Sequence, residues 1–415
     1  MDIIINKSKA SGEITAPPSK SLAHRYIICA ALSEGVSRIG NVDLSEDIKA
    51  TIDCINALGA KATIEEDVVI VEGINPKKIR DNVEDLSQTI DFLCRESGST
   101  MRFFMGLSMY LGKSSRFYGS ETLRNRPFGI YEEICNNQGI KFERLSDHIA
   151  INGKLSAGSY NIKGNISSQF ITGLMFSLPL LEDDSVINLI PPVESRSYIN
   201  LTIQALNLFG VSTKWNGDCQ IVIKGGQCYK ACDTLVEGDC SNAAFLEAFN
   251  YIGGDVSVLG INKDTLQGDA VYKELFDELS NKKDGSAVID ISDCPDLGPV
   301  LFAVAACLNG AKFIGTKRLK IKESDRGTVM CAELRKLSIG SSIEENEITI
   351  SAGRLLENRY KPSEDFDGHN DHRIVMSMAI IASLTGGRIN GAQAVAKSYP
   401  GFFDDIEKLG INIVK

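Results

Sequence analysis

The stretch Ile55-Asn-Ala-Leu-Gly59-Ala-Lys-Ala-Thr-Ile64 joins the end of an amphipathic helix to an alternating strand through a glycine. Glycine suits the left-handed conformation that follows many helices, and alternation with a period of two predicts a half-buried strand. The pattern returns about every 60 to 80 residues, at residues 134–142, 206–215, 275–291 in degraded form, 334–343 and 406–414. Six copies at this spacing favour a βαβαββ unit that occurs six times. Because helix–glycine–strand sequences are common in α/β proteins, chance recurrence remains an alternative.

The composition limits the class of protein. The 415 residues allow two or three domains, and 43% hydrophobic with 24% charged residues is ordinary for a globular protein. A net charge of -10 argues against nucleic acid or an acidic membrane surface as a partner. The longest apolar runs, near residues 300–308 and 374–384, are too short to cross a bilayer, and residues 1–7 do not resemble a secretion signal. We therefore expect a cytoplasmic protein that binds neither nucleic acid nor membranes.

The cysteines and histidines do not form a metal-binding pattern. Eleven cysteines are scattered without a Cys-x-x-Cys pair, which predicts free and mostly buried thiols in a reducing compartment. His369 and His372 stand three residues apart, but no set of acidic ligands is grouped with them. We predict no metal site.

The stretch Pro17-Pro18-Ser19-Lys20-Ser21-Leu22-Ala23-His24-Arg25 lies where a strand-forming segment passes into a helix. The unpaired N–H groups at a helix start favour an anion. Lys20 adds a positive charge, Ser21 adds a hydroxyl, and Arg25 lies one turn beyond Ser21 on the same face. This pattern predicts a seat for phosphate or carboxylate, although a helix cap beside a solvated lysine would look the same.

Charged and hydroxyl residues recur at predicted helix starts in both halves of the chain. They lie in segments 96–102, 164–170 and 194–198 of the first half, and in segments 237–243, 294–299, 319–326, 370–373 and 397–400 of the second half. Two further arginines, Arg124 and Arg126, are expected in a loop, because Pro127 disfavours a helix before it. Each segment alone could be a cap or an exposed surface; Asp296, for example, could be the N-cap of the apolar helix that follows it. Together they predict two positively charged faces that meet in a cleft around a substrate with several anionic groups. The boundary between the halves is expected near Gly225-Gly226.

Nine short motifs occur in a defined order. They are Pro18-Ser-Lys-Ser-x-x-x-Arg25, Ser97-Gly98-Ser-x-Met-Arg102, Arg126-Pro127, Ser167-Ser168-Gln169-Phe170, Gly238-Asp239-x-Ser241, Pro295-Asp296, Lys322-Glu323-Ser-Asp325-Arg326, Asp371-His372-Arg373 and Lys397-Ser-x-Pro400. In order and spacing, this set resembles the 3-phosphoshikimate 1-carboxyvinyltransferases, or EPSP synthases. The resemblance extends from Pro17 to Pro400, which is nearly the whole chain.

The resemblance implies a fold and a reaction. The fold is α/β, a two-domain inside-out α/β barrel of six βαβαββ repeats with three repeats in each domain. One domain would comprise residues 1–17 and 226–415 and the other residues 18–225, with the active site in the cleft between them. The reaction would transfer the enolpyruvyl group of phosphoenolpyruvate to the 5-hydroxyl of shikimate 3-phosphate and release phosphate, as part of the shikimate pathway. No cofactor and no metal would be required, and we expect a monomer.

The matched motifs imply two sets of substrate contacts. The set for shikimate 3-phosphate is Lys20, Ser21, Arg25, Ser167, Ser168, Gln169, Ser195, Asp296 and Lys322. The set for phosphoenolpyruvate is Lys20, Gly98, Arg126, Gln169, Arg326, Arg373 and Lys397. Since phosphoenolpyruvate carries a phosphate and a carboxylate, several cations are needed to bind it. The candidates for proton transfer are Asp296, which would take the hydroxyl proton, and Glu323 with Lys20, which would serve the carbon.

Two rival functions share parts of this pattern. The sister enolpyruvyl transferase that acts on UDP-N-acetylglucosamine has the same fold and donor. It typically has Lys-Asn in place of Lys20-Ser21 and a reactive loop cysteine, for which Cys94 and Cys135 are poor positional matches. A catalytically silent protein that senses a phosphorylated metabolite would keep the fold, but the candidate catalytic residues are all present, which argues against it.

One position departs from the family pattern. Members usually have Asn and then Ala or Ser before the glycine at Gly98, whereas this chain has Glu96-Ser97. A carboxylate two residues from the phosphoenolpyruvate seat should weaken anion binding unless it points away or pairs with a base such as Lys20 or Arg102. Gly98 itself is retained, so the family's inhibitor glyphosate should still fit.

We predict that Glu96→Asn leaves the KM for phosphoenolpyruvate unchanged or lowers it, because the substitution removes a negative charge near the bound anions. Steady-state kinetics of phosphate release would check this. A large rise in KM would mean instead that Glu96 assists binding.

Overall fold

The computed structural model describes residues 1–81, 89–282, 285–357 and 360–415 of the chain. By its contacts the chain divides into two units. The central unit is Pro18–Val236, and the terminal unit is Met1–Pro17 with Glu237–Lys415. The second boundary lies after Val236 and not near Gly225-Gly226, because two short strands in residues 229–235 pair with Ser33–Gly40 of the central unit.

Strands and helices alternate along both units. The strands are β1 Ile3–Ile5, β2 Ser11–Thr15, β3 Ser33–Gly40, β4 Lys61–Glu65, β5 Val68–Gly73, β6 Ile90–Leu93, β7 Ser115–Tyr118, β8 Lys141–Arg144, β9 His148–Asn152, β10 Ser159–Lys163, β11 Ser185–Ile190, β12 Thr213–Trp215, β13 Gln220–Ile223, β14 Tyr229–Lys230, β15 Thr234–Leu235, β16 Asp255–Leu259, β17 Val288–Asp290, β18 Ala311–Ile314, β19 Ser341–Ile343, β20 Glu347–Ile350, β21 Phe366–Asp367, β22 Gly387–Asn390 and β23 Ile413–Val414.

The helices are α1 Lys20–Ala31, α2 Glu46–Ala57, α3 Pro76–Asp81, α4 Gly98–Leu111, α5 Glu121–Arg124, α6 Gly129–Gln138, α7 Ser168–Ser177, α8 Arg196–Leu208, α9 Cys240–Tyr251, α10 Tyr272–Asn281, α11 Gly298–Cys307, α12 Arg326–Arg335, α13 His372–Thr385 and α14 Phe402–Lys408. Short 3-10 helices at Pro295–Leu297, Thr316–Ile321 and Ala392–Lys397 lie beside the candidate site. Within the residues that the structure describes, no helix combines the length and the apolar character that crossing a membrane requires.

One sheet topology recurs in both units. Two parallel strands are followed by two antiparallel ones, in the orders β6-β7-β9-β8, β10-β11-β13-β12 and β17-β18-β20-β19. Each of these sheets is built from one continuous βαβαββ segment. The fold is therefore α/β with the predicted repeat.

The remaining sheets use strands from opposite ends of a unit. In the central unit, β14 and β15 pair with β3, next to β5 and β4. In the terminal unit, β1 pairs with both β22 and β23, and β2 pairs with β16. Each unit thus contains three repeats, and one repeat of the terminal unit is reduced to the parallel pair of β2 and β16 among the described residues.

The predicted helix–glycine–strand copies are confirmed as helices followed by strands. Five of them end in the antiparallel edge strand of a sheet, namely β4, β8, β12, β19 and β23. The degraded copy in residues 275–291 differs, because α10 leads into β17, which pairs in parallel with β18 and opens the next repeat.

Helices form the core of each unit, and the sheets cover them. Nearly every residue of α4 and α7 in the central unit, and of α11 and α13 in the terminal unit, is buried. Strands such as β9 and β20 instead alternate between buried and more accessible residues. Helices that are apolar all round must be enclosed, whereas alternating strands have one face toward solvent. This is the inside-out arrangement that the resemblance implies.

Two glycines allow α4 and α7 to cross closely. A Cβ at Gly106 would lie 2.6 Å from the carbonyl carbon of Gly173, and a Cβ at Gly173 would lie 2.7 Å from the carbonyl oxygen of Arg102. Real side chains do not tolerate such distances, so the backbones touch because these residues lack side chains. The crossing fixes the position of the starts of α4 and α7, which carry candidate site residues.

We predict that Gly106→Ala lowers the urea midpoint of unfolding, with a loss of about 1 to 3 kcal/mol, because the added methyl group overpacks the crossing. Gly129→Ala is the matched control, since a Cβ at Gly129 meets nothing within 4 Å. Equal midpoints for the two variants would contradict the close crossing.

Candidate functional site

In the central unit, Lys20 is the first residue of α1 and is held by an acid that the motifs did not include. Its Nζ lies 2.8 Å from Oδ2 of Asp47, and the side chains of Lys20 and Asp47 are 15% and 12% exposed. Asp47 lies in the first turn of α2, where the helix dipole also stabilises a negatively charged carboxylate. The ammonium group is therefore fixed at the start of one helix by the start of the next.

Arg25 ties α1 to its neighbours. Its guanidinium donates to the carbonyl of Ser21 at 2.6 Å, to Oγ1 of Thr202 at 2.9 Å and to the carbonyl of Tyr198 at 3.1 Å. The residue is 3% exposed, and burial lowers the pKa of its guanidinium to about 10. Arg25 therefore anchors α8 beside α1, and its contact with shikimate 3-phosphate stays a prediction.

Gly98 is the first residue of α4, and two arginines approach it. A Cβ at this position would lie 2.6 Å from Nη1 of Arg126 and 3.1 Å from Nη1 of Arg102. Glycine therefore leaves room for both guanidinium groups at a helix start, where N–H groups also favour an anion. Nε of Arg126 is buried and has no hydrogen-bond partner among the described residues.

A buried chain of hydroxyl groups supports the same helix start. Nδ1 of His24 lies 2.7 Å from Oγ1 of Thr51, which lies 2.8 Å from Oγ1 of Thr100, and Thr100 donates to Oγ of Ser97 at 2.8 Å. Burial, followed by the charges of Lys20 and Arg25, holds the pKa of His24 well below its ordinary value. A neutral imidazole thus ends a chain that links α1, α2 and the N-cap of α4.

The start of α7 contributes neutral polar groups. Ser167 is the N-cap and accepts a hydrogen bond from the N–H of Gln169 at 3.3 Å, and Ser168 is buried beside it. Oε1 of Gln169 accepts from Nη1 of Arg102 at 2.5 Å, and its amide nitrogen donates to Oγ of Ser99 at 2.8 Å. Gln169 therefore joins the starts of α4 and α7.

Ser195 stands immediately before α8. It is fully buried and has a left-handed backbone with φ of 54°, which is uncommon for a residue with a side chain. We call the candidate residues of this unit, together with Arg102, the central cluster; it comprises Lys20, Ser21, Arg25, Gly98, Arg102, Arg126, Ser167, Ser168, Gln169 and Ser195.

In the terminal unit, Arg326 is the hub of a second cluster. Its side chain is 1% exposed and is surrounded by three carboxylates. Its nitrogens lie 2.8 Å from Oδ1 of Asp296, 2.5 Å from Oε2 of Glu323 and 2.8 Å from Oδ2 of Asp371. Although burial disfavours the charge, Asp371, Glu323 and Asp296 raise the pKa of this guanidinium. One cation therefore fixes three acids from three chain segments.

Asp296 is itself bound by several cations. Its carboxylate lies 3.0 Å from Nζ of Lys322 and 3.5 Å from Nη2 of Arg373, and its backbone carbonyl accepts from Nη1 of Arg373 at 2.9 Å. Burial alone would raise the pKa of this carboxyl, but Arg373, Lys322 and Arg326 together hold it well below its ordinary value. The alternative that Asp296 caps α11 is wrong, because the N-cap is Leu297, without a side-chain cap bond.

Two lysines complete the second cluster. Burial lowers the pKa of Lys322, although Asp296 opposes that effect. Nζ of Lys397 donates to the carbonyl of Asn370 at 2.6 Å. We call Asp296, Lys322, Glu323, Arg326, Asp371, Arg373 and Lys397 the terminal cluster. The candidate residues are thus divided between the two units, with the central cluster in Pro18–Val236 and the terminal cluster in Glu237–Lys415.

Some members of the clusters were not assigned a role from the sequence. Asp47 escaped notice because it lies 27 residues beyond Lys20 on the next long helix, and the available signal was a capped helix start, Ser45-Glu46-Asp47. Arg102 and Asp371 stood inside quoted motifs, but only the structure pairs them with Gln169 and Arg326. Arg124, expected in a loop, ends the short helix α5 instead.

The cysteines weighed as reactive thiols are both buried. Cys135 lies within α6, and burial raises the pKa of its thiol to about 12. Cys94 follows β6 and is fully enclosed. Neither is an accessible loop thiol.

The chain is similar to proteins of one kind. A family model described as EPSP synthase (3-phosphoshikimate 1-carboxyvinyltransferase) matches residues 4–406. A 3-phosphoshikimate 1-carboxyvinyltransferase of Clostridium beijerinckii is 42% identical, across 98% of this chain and 97% of that protein. One from Clostridioides difficile is 41% identical over the same shares.

Solved structures share the fold. EPSP synthase from Acinetobacter baumannii has a TM-score of 0.76 at 21% identity, and the match covers all of both chains. The enolpyruvyl transferase NikO from Streptomyces tendae has a TM-score of 0.74 at 13% identity, over all of this chain and 98% of that one.

We predict that Arg326→Gln costs about 3 to 5 kcal/mol at neutral pH, because it leaves buried carboxylates without their shared cation. A depressed folded-state pKa gives stability above the ordinary pKa of about 3.9 that is lost as pH falls through the folded value. Without Arg326 the pKa of Asp296 should rise, so the difference in stability from wild type should narrow as the pH falls below about 4.

Urea unfolding of wild type and variant, at neutral pH and at a pH below about 4, would measure this difference in stability. Arg116→Gln is the matched control. Arg116 binds the carboxylate of Asp91 through two hydrogen bonds, but both side chains are more than 40% exposed. This substitution should change the midpoint little. An Arg326→Gln loss that is small or independent of pH would contradict the role of the hub.

Proposed function

Because this chain belongs to the EPSP synthase family, we propose that its two clusters together bind phosphoenolpyruvate and shikimate 3-phosphate for enolpyruvyl transfer. The chain transfers the enolpyruvyl group of phosphoenolpyruvate to the 5-hydroxyl of shikimate 3-phosphate and releases phosphate. The observation that carries the proposed roles is the terminal cluster, in which Lys322, Arg326 and Arg373 surround the ionised carboxylate of Asp296. The location of the protein in the cytoplasm and its monomeric state remain predictions.

The central cluster suits a phosphorylated acceptor. Ser21, Ser168 and Gln169 lie in first turns of helices, where hydroxyl, amide and backbone N–H groups can donate to phosphate oxygens. Ser167 is the N-cap of α7, Ser195 stands before α8, and Arg25 lies one turn beyond Ser21 on α1. We assign this set, with Lys20, Asp296 and Lys322, to shikimate 3-phosphate.

The cations of both clusters suit phosphoenolpyruvate. We assign Arg326, Arg373 and Lys397 of the terminal cluster to it, together with Lys20, Gly98, Arg126 and Gln169. Guanidinium groups bind carboxylate and phosphate in a forked geometry, and lysines add point charges. The two substrates carry four anionic groups, a phosphate and a carboxylate on each, and these require a set of cations of this size.

The reaction then proceeds by addition and elimination. The 5-hydroxyl oxygen bonds to C2 of phosphoenolpyruvate while a proton is added to C3, which yields a tetrahedral adduct. Loss of the C3 proton and cleavage of the bond between C2 and the phosphate oxygen then regenerate the double bond. Asp296 accepts the hydroxyl proton, and Glu323 with Lys20 transfers the C3 proton.

The surroundings of Asp296 indicate how it becomes a base. With three cations around it, its pKa is held well below the ordinary value, so it is a weak base before substrate binds. When substrate anions also bind Lys322, Arg326 and Arg373, these cations interact less strongly with the carboxylate of Asp296. Its pKa then rises when proton transfer is needed.

We predict that phosphate is released from phosphoenolpyruvate with shikimate 3-phosphate and not with UDP-N-acetylglucosamine. A continuous phosphate assay with each acceptor in turn would test this. Release with the nucleotide sugar alone would mean that the acceptor is wrong, and release with neither would mean that the protein is catalytically silent.

The same assay tests the proposed role of Asp296 as the general base. Asp296→Asn should lower kcat by about 10²- to 10⁴-fold, the usual contribution of a general base. Asp293→Asn is the control, because this residue is exposed, lies three positions earlier and has no proposed role. Equal kcat values in the two variants would remove Asp296 from the mechanism.

A further inference from the structure

The turn before α13 has an unusual backbone. His369 and Asn370 have φ values of 48° and 52°, and the N–H of Asp371 donates to the carbonyl of Gly368 at 2.8 Å. A turn with both central residues at positive φ is usually made from Gly, Asn or Asp, because other side chains are strained there. An interaction of the His369 side chain with α12 bears on this turn.

That interaction is an ion pair with a buried acid. Nε2 of His369 lies 2.9 Å from Oε1 of Glu333, whose side chain is 2% exposed. Oε2 of Glu333 accepts from Nζ of Lys336 at 2.8 Å and from the N–H of Asp367 at 3.0 Å. The N–H of His369 in turn donates to Oδ1 of Asp367 at 2.7 Å.

Both ends of this segment are held by α12. Arg326 begins the helix and Glu333 lies seven residues later, which places them on one face. Glu333 binds Asp367 and His369 at the front of the turn, while Arg326 binds Asp371 behind it. Residues 367–371 are thus held at both ends by side chains from one helix, α12.

The turn positions two of the proposed phosphoenolpyruvate contacts. Lys397 donates to the carbonyl of Asn370, and Oδ1 of Asp371 accepts from the N–H of Arg373 at 3.0 Å. A change in the backbone at His369 and Asn370 would therefore displace the Lys397 ammonium and the start of α13. This effect does not require that His369 or Glu333 contact the substrate.

We infer that Glu333 and His369 are positioning residues that hold Lys397 and Arg373 in place through their ion pair, and that the hold weakens when His369 loses its proton. This inference rests on the proposed function, because it needs Lys397 and Arg373 to bind phosphoenolpyruvate. Neither Glu333 nor His369 belongs to the nine motifs. The effect should appear in the KM for phosphoenolpyruvate and much less in kcat.

The charges around His369 set the sign of the pH dependence. The hydrogen bond to Glu333 raises the pKa of the imidazole, burial lowers it, Asp367 raises it and Lys336 lowers it, with a net shift upward. Burial alone would raise the pKa of Glu333, but His369, Lys336 and the N–H of Asp367 hold it below its ordinary value. The pair is therefore complete below the ordinary histidine pKa of about 6.5 and is lost as pH rises through the folded value.

The first test is NMR titration of the imidazoles, which is feasible because the chain has four histidines. The signal that disappears in His369→Gln should titrate above the ordinary value in wild type and move down in Glu333→Gln. A wild-type value at or below the ordinary one would overturn the inference. This readout does not depend on catalysis.

The second test compares the KM for phosphoenolpyruvate in wild type and His369→Gln. The variant keeps a hydrogen-bond donor but cannot be charged. At about pH 6 its KM should be about tenfold higher, the size of a lost charge-assisted hydrogen bond, and at about pH 9 the two values should converge. The ionisation of phosphoenolpyruvate affects both KM values equally, so its effect cancels in the ratio of the variant KM to the wild-type KM. A ratio that is constant with pH would overturn the inference.

His148→Gln is the matched control, because Nδ1 of His148 also lies 2.7 Å from a carboxylate, that of Asp147, but on β9 of the central unit. Its KM ratio should stay near one at every pH, and a pH-dependent ratio like that of His369→Gln would overturn the inference. The same assay reports whether wild type releases phosphate at all. No release would reject the proposed function, whereas release with equal pH profiles would reject only the role of the ion pair.

Discussion

The terminal unit depends on one buried guanidinium. Arg326 brings together Asp296 from the 3-10 turn before α11, Glu323 from the segment before α12 and Asp371 at the N-cap of α13. Burial of such a group is costly, and its removal would leave carboxylates that burial penalises in turn. The hub therefore fixes where three helices begin, and the positions of Lys322, Arg373 and Lys397 follow from it.

The central unit arranges its polar groups in another way. Its candidate residues are connected by the ion pair of Lys20 with Asp47, by the Gln169 amide that joins two helices, and by a chain of hydroxyls beneath the start of α4. The close crossing at Gly106 and Gly173 is what brings Gly98, Arg102 and Gln169 into one region. Close backbone packing replaces the dense charge network of the terminal unit, which suits hydroxyl and N–H donors at helix starts.

Much of the fold could be read from local patterns, because helix ends and alternating strands are determined by neighbouring residues. The boundary near Gly225-Gly226 could not, since β14 and β15 are two-residue strands whose only signal is their pairing with β3. The candidate residues were found through motifs at helix starts. Their partners were missed for the same reason as the short strands: Asp47, and Glu333 with His369, act through contacts between separate segments. The choice between a cap and a charge partner for Asp296 likewise depended on Lys322, Arg326 and Arg373, which no local pattern around Asp296 reveals.

The most direct test of the central claim is the pKa of Asp296 in the ligand-free protein. Carbon-13 NMR of aspartate-labelled protein would measure it, with Asp296→Asn to assign the carboxyl signal. If the shared cations control this acid, the carboxyl stays ionised well below the ordinary pKa of about 3.9. Titration at or above that value would contradict the claim that Arg326 and its neighbours hold Asp296 as a carboxylate.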